Sequence, residues 1–106
     1  MKKIVVFLFC LCCSFLFINA QPKREFRATW LTTVWAIDWP KTSGSTNQIA
    51  ELKQKIATLK NANLNATCFQ VRSMCDAMYN SAYEPWSKVL TGTRGVNPGY
   101  DPLAVA

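Results

Sequence analysis

The chain has 106 residues, half of them hydrophobic, and 12 lysines and arginines against six aspartates and glutamates give it a formal net charge of +6. It contains no histidine, which excludes Ser-His-Asp and Cys-His catalysis by this chain and disfavours a zinc site. The basic residues are dispersed and no nucleic-acid-binding module is visible, so nucleic acid is not an expected partner.

The first 20 residues have the pattern of a secretory signal peptide. A basic start, MKK, is followed by an uncharged apolar run from Ile4 to Ile18, and the small residue Ala20 closes the segment. The run is shorter than the roughly 20 residues that a membrane span needs. We therefore expect cleavage after Ala20, export to the bacterial periplasm, envelope or exterior, and no transmembrane anchor in the mature chain of residues 21–106.

Two cysteines, Cys68 and Cys75, follow the leader. Disulfides can form in an exported protein, but a bridge between these two requires the chain to fold back sharply after Arg72, because an extended segment would hold them too far apart. Two unpaired thiols are the favoured interpretation.

The mature chain begins with a predicted strand from Phe26 to Thr33, which is rich in β-branched and aromatic residues and places Trp30 and Leu31 on opposite faces. A loop from residue 34 to residue 44 follows. Ser45, three residues before Gln48, is typical of a capping box.

A helix is predicted from Thr46 onwards. Its apolar stripe consists of Ile49, Leu52, Ile56 and Leu59. Asn61 and Asn63 are plausible left-handed residues at its end. The segment from Asn65 to Val71 predicts a second strand.

About 28 residues separate Arg72 from the next helix start, where Asp101 is the expected N-cap and Pro102 the first helical residue. A connection of that length favours a functional loop. The alternation of strands and helices predicts an α/β fold with a parallel sheet. Two strands cannot bury both faces of such a sheet, so the chain is interpreted as the amino-terminal part of a larger domain.

Ligands of parallel α/β folds bind at the carboxyl ends of the strands. The loops expected at this edge combine aromatic rings, carboxylates, an amide and an arginine, which suits sugars because rings stack on C–H faces and polar groups bond hydroxyls. The candidate substrate-binding residues are Trp35, Asp38, Trp39, Gln70, Arg72, Asp76, Tyr79, Glu84 and Trp86.

Each of these residues also has a structural interpretation. The three tryptophans could pack in the core, and Asp38 could be a turn residue. Arg72 could pair with Asp76 or Glu84. Gln70 could face the interior of the fold.

Three segments resemble the amino-terminal part of the glycosyl-hydrolase-like family 10 proteins, a former domain of unknown function. They are REFRATWLTTVWAIDWP, FQVRSMCDAMYNSAYEPWSKVLTGTRG and PGYDPLA, and together they cover nearly all of the mature chain. A departure from the family pattern is Met74-Cys75, where a proline-containing pair is expected.

The resemblance implies the start of a TIM-like (β/α)8 barrel: strand one, helix one, strand two and the beginning of helix two. It also implies a secreted or envelope protein that acts on glycans. The acid and base of such an enzyme are implied to lie on later strands, so no catalytic residue is assigned, and no cofactor or metal is expected.

Two function classes follow. The first is a glycoside hydrolase acting on cell-wall glycan strands or another polysaccharide, of which this is the amino-terminal portion. The second is a non-catalytic carbohydrate-binding envelope protein. Taken alone, residues 21–106 are expected to be an inactive truncated product, because a barrel fragment leaves strand edges unpaired; whether the chain is an enzyme is left open at this stage.

Overall fold

A computed structural model describes residues 25–106 of the chain, and the predicted signal peptide lies outside these residues. The described part contains two strands, β1 (Ala28–Leu31) and β2 (Ala66–Phe69), and three helices, α1 (Ser45–Asn61), α2 (Lys88–Thr91) and α3 (Pro102–Val105). A single 3₁₀ turn covers Val34–Ala36. Residues 25–106 form no helix long and apolar enough to span a membrane.

The two strands pair in parallel, with Ala28 opposite Ala66 and Leu31 opposite Phe69. Leu31 is buried whereas Trp30 is 60% exposed, so one face of the sheet carries the core and the other is open. This mixed arrangement of helices and a parallel two-stranded sheet confirms the predicted strand-helix-strand order. Both strands are shorter than predicted. The residues that flank them still bond across the sheet, but partly through side chains: Arg27 with Asn65 at one end, and Thr33 with Gln70 at the other.

Helix α1 covers the buried face of the sheet. Leu52 is fully buried against Leu31, and Ile56 and Phe69 pack around them, so the predicted apolar stripe is confirmed at its centre. Its two outer members, Ile49 and Leu59, are only half-buried.

The start of α1 differs from the prediction. Gly44, in a backbone conformation with φ 85° and ψ 139°, is the N-cap and provides no side-chain cap; Ser45 is already helical. Gln48 does not close a capping box, because its side chain points into the core instead. At the other end, Asn63 has φ 66° and so adopts the left-handed conformation that was predicted.

The core is small and centres on Trp39, which is buried beside Leu31, Leu52, Met78 and Leu90. The rings of Trp39 and Phe69 meet edge to face with centroids 5.8 Å apart, an arrangement that aromatic quadrupoles favour. Residues from the segment after β2 thus complete a core that β1, β2 and α1 begin.

The long segment after β2 is more ordered than the sequence indicated. Ala77 and Trp86 form an isolated parallel bridge, and α2 follows at once, ending at Gly92 with φ 84°. Helix α3 begins as predicted: the Asp101 carboxylate accepts hydrogen bonds from the backbone N–H groups of Leu103 and Ala104.

Candidate functional site

Two loops meet where the parallel strands end. The first loop (residues 32–44) follows β1, and the second loop (residues 70–87) follows β2. Because parallel strands end at the same edge of a sheet, both loops lie on one side of the fold. All nine candidate residues are in these two loops.

Trp35 is the most exposed of the candidate tryptophans, with 75% of its surface accessible. It has φ 53°, and Ala36 beside it has the same value, a conformation that non-glycine residues rarely adopt and that costs energy unless the surroundings impose it. The exposed ring thus lies on a left-handed turn of the first loop.

Gln70 joins the two loops beneath Trp35. Its side-chain oxygen accepts hydrogen bonds from the backbone N–H groups of Thr33 (2.9 Å) and Val34 (3.1 Å), and the Thr33 hydroxyl donates to the Gln70 carbonyl at 2.7 Å. Its amide oxygen thus fixes the start of the turn that carries Trp35, so Gln70 acts on the site by positioning.

Trp39 and Asp38 occupy structural positions in the first loop. Trp39 has no exposed surface, and its ring N–H donates to the backbone carbonyl of Gln48 at 3.0 Å. Trp39 therefore packs in the core, which was the alternative considered from the sequence. Its burial gives no support to direct contact with a sugar. The Asp38 carboxylate accepts from the backbone N–H of Thr32 at 2.8 Å, which is the geometry of a turn residue.

Arg72 and Glu84 form a salt bridge within the second loop, one of the two pairings considered from the sequence. The hydrogen bond from Arg72 to Glu84, and then the attraction between their charges, raise the pKa of the guanidinium above its ordinary value. The side chain of Arg72 is 60% exposed, so its other N–H groups face solvent. Tyr79 lies in the same loop and is half-buried.

Asp76 and Trp86 lie deeper in the same loop. Asp76 is buried, and one of its oxygens accepts from the backbone N–H of Met74 at 3.2 Å. Trp86 is half-buried against the core. The second oxygen of Glu84 is buried and finds no hydrogen-bond partner within residues 25–106. Asp38, Asp76 and Glu84, the three carboxylates of these loops, are therefore all hydrogen-bonded or buried. No two of them form an exposed pair that could act as acid and base.

A pocket of about 790 Å³ opens between Trp35, the start of α1, Met74 and helix α2. We call it the Trp35 pocket. Trp35 is the only sequence-predicted site residue that lines it; Gln48, Met74, Lys88 and Asn97 are lining residues that the sequence did not single out. The sequence does contain a signal for the short helix α2: Ser87 precedes the apolar pair Val89 and Leu90, and Gly92 follows it. That signal would have identified Lys88 as a residue of the helix.

Gln48 forms the floor of this pocket and holds its walls together. Its amide N–H groups donate to the carbonyls of Thr42 (3.0 Å) and Leu90 (2.9 Å), and its amide oxygen accepts from the Tyr100 hydroxyl at 2.7 Å. Burial of Tyr100, and secondarily the charge of Glu51, raise the pKa of the phenol above its ordinary value. One buried amide thus ties α1 to three other segments.

No cluster of three metal-ligating side chains occurs in the part of the chain that the structure describes. Cys68 and Cys75 are both exposed and unpaired, as the sequence favoured.

A family model described as glycosyl hydrolase-like 10 matches residues 25–106. The chain belongs to this family. Among curated relatives, the glycosyl hydrolase YngK of Bacillus subtilis is 46% identical over 90 residues, which are 81% of this chain and 17% of the relative. The glycosyl hydrolase DigH of Escherichia coli K12 is 36% identical over 92 residues, 78% of this chain and 21% of the relative. The chain thus spans about a fifth of the length of these relatives.

Proposed function

We propose that this chain is the amino-terminal part of an exported glycoside hydrolase that binds a bacterial cell-wall glycan or another polysaccharide. The observation that carries the proposal is the exposed ring of Trp35, which lies on a left-handed turn beside an open pocket at the carboxyl ends of two parallel strands. Membership in the glycosyl hydrolase-like 10 family supports the reaction class.

The fold proposed for the whole protein is a TIM-like barrel. Its support is the parallel pairing of β1 and β2 with α1 on one face only. Trp30 and Cys68 face the open side, which is the side that becomes the barrel interior when further strands close the sheet.

In this proposal the chain contributes binding and positioning. Glycosidic hydrolysis needs two carboxyl groups, one of which protonates the leaving oxygen while the other activates water or attacks the sugar, at a separation of about 5 to 9.5 Å. Since Asp38, Asp76 and Glu84 are occupied by backbone or arginine contacts, we place the acid and base outside residues 25–106. Arg72, with N–H groups free, and Trp35 are the residues here that contact the glycan.

The test uses the full-length gene product and a panel of polysaccharides, with release of reducing ends as the assay. Trp35→Ala is expected to raise KM about tenfold or more with a smaller change in kcat, because aromatic stacking on a bound sugar is lost. Phe26→Ala is the matched control: its side chain is also 75% exposed but precedes β1, at the opposite edge of the sheet. Failure to release reducing ends from any substrate, or equal effects of the two variants, contradicts the proposal.

A second function, non-catalytic carbohydrate binding, is favoured by one observation: Asp38, Asp76 and Glu84 each have an oxygen bonded to a backbone N–H group or to Arg72. Binding of a polysaccharide that weakens in Trp35→Ala, without release of reducing ends by the full-length product, identifies this function instead.

A further inference from the structure

Among residues 25–106, Lys88 is the only charged side chain that lines the Trp35 pocket. It is exposed and forms no ion pair with any residue between 25 and 106. No carboxylate lines the pocket, although six acidic residues occur in this part of the chain. A ligand in the pocket therefore meets one positive charge that has no partner.

The rest of the pocket suits a sugar ring. Trp35, Val89 and Pro98 supply apolar surface, and Ser43, Ser45 and Asn97 supply short polar groups. The pocket volume of about 790 Å³ lies within the range of natural small-ligand sites.

The amide of Gln48, which forms the floor of the pocket, is engaged within the protein. Both donors and the acceptor of the Gln48 amide are already used by Thr42, Leu90 and Tyr100. Because the most buried polar side chain of the pocket is saturated, Lys88 is the strongest polar group left for a ligand, and its preferred partner is an anion.

We propose that the Trp35 pocket is a saccharide subsite that selects a sugar unit carrying a carboxylate, with Trp35 against the ring and Lys88 paired with the carboxylate. This inference rests on the proposed glycan-binding function and adds a charge preference to it. The carboxylate is ionised at neutral pH, and the pair is solvent-exposed, so the preference is moderate and weakens in high salt.

The test measures binding to the full-length gene product by calorimetry with two matched pairs of probes. The first pair is a hexuronate oligosaccharide and the same oligosaccharide with its carboxyl groups reduced to alcohols. The second is N-acetylmuramic acid and N-acetylglucosamine, which differ in an ether-linked carboxylate. The pair that shows the preference identifies the source of the carboxylate.

We expect the charged member of one pair to bind about fivefold more tightly, the scale of one partly exposed ion pair. This preference should shrink in 0.5 M salt, where the Debye length is about 4 Å instead of about 10 Å at 0.1 M. Lys88→Gln should abolish the preference without changing the affinity for the neutral member, and Lys88→Arg should restore it. Lys53→Gln is the matched control, because Lys53 is an exposed lysine of α1 that does not line the pocket.

Each result separates this inference from the proposed function. Equal binding of both members of both pairs, or a preference that survives Lys88→Gln, overturns the subsite while glycan hydrolysis still supports the function. A Lys88-dependent preference without hydrolysis of any polysaccharide supports the subsite and contradicts the hydrolase. Absence of saccharide binding altogether overturns both.

Discussion

Replacing Gln48 by leucine tests whether one buried amide organises the loop edge. The two side chains are similar in size, so the change removes three hydrogen bonds with little change in volume. The Leu90 carbonyl and the Tyr100 hydroxyl lose their partner in a buried or half-buried setting, whereas the Thr42 carbonyl belongs to an exposed residue and can bind water.

The expected cost follows from these partners. A buried polar group left unpaired costs about 1–3 kcal/mol. Two such groups, one of them half-buried, should lower the free energy of unfolding by about 2–4 kcal/mol, once the small gain from the added apolar side chain is subtracted. The matched control is Gln54→Leu, since Gln54 lies on the same helix but is exposed; its change should stay within about 0.5 kcal/mol.

Hydrogen–deuterium exchange of the full-length product, read by mass spectrometry, reports this loss segment by segment. In Gln48→Leu the amides of residues 39–48 and 88–100 should exchange roughly 30- to 700-fold faster, because each 1.4 kcal/mol corresponds to a factor of about ten. Protection in these segments equal to that of Gln54→Leu would refute the role given to Gln48.

Two further predictions concern the same end of the fold. The raised pKa of Tyr100 means that the folded state holds the phenolic proton more tightly than the unfolded chain, whose value is about 10; the stabilisation is complete below about pH 10 and is lost as the pH rises towards the folded value. Urea unfolding should therefore show a steeper decline above pH 10 in the wild type than in Tyr100→Phe, and parallel declines contradict this. Asp101→Ala should lower the free energy of unfolding by about 1 kcal/mol because the cap of α3 is lost, whereas Asp101→Asn should retain most of that free energy; an Asp101→Ala variant as stable as the wild type would show that the cap contributes nothing.

The elements with a regular pattern could be predicted from the sequence. The alternation around Trp30 and Leu31, the helical stripe centred on Leu52 and the Asp101-Pro102 start each depend on local spacing, and the structure confirms all three. Parallel pairing followed from the order of the elements and is likewise observed.

What the sequence did not predict depends on contacts between distant segments. Gln48 looked like a capping residue because its spacing from Ser45 is local, but its partners Leu90 and Tyr100 lie 42 and 52 residues away. Trp35 and Trp39 are both tryptophans of one short loop, and only the tertiary fold leaves the first 75% exposed and buries the second completely. No local pattern contains that difference.

The open face of the sheet carries a tryptophan beside a cysteine, a pair that can be used for fluorescence measurements. Trp30 and Cys68 are register partners on adjacent strands, which places them about 5 Å apart across the sheet, and both are exposed. A fluorophore attached to the Cys68 thiol therefore sits close enough to the Trp30 indole for energy transfer or contact quenching. In a protein where further strands cover this face, the Cys68 thiol resists labelling in the native state and reacts only on unfolding. Because Cys75 is also exposed, labelling of a Cys75→Ser variant distinguishes a closed sheet from an open one.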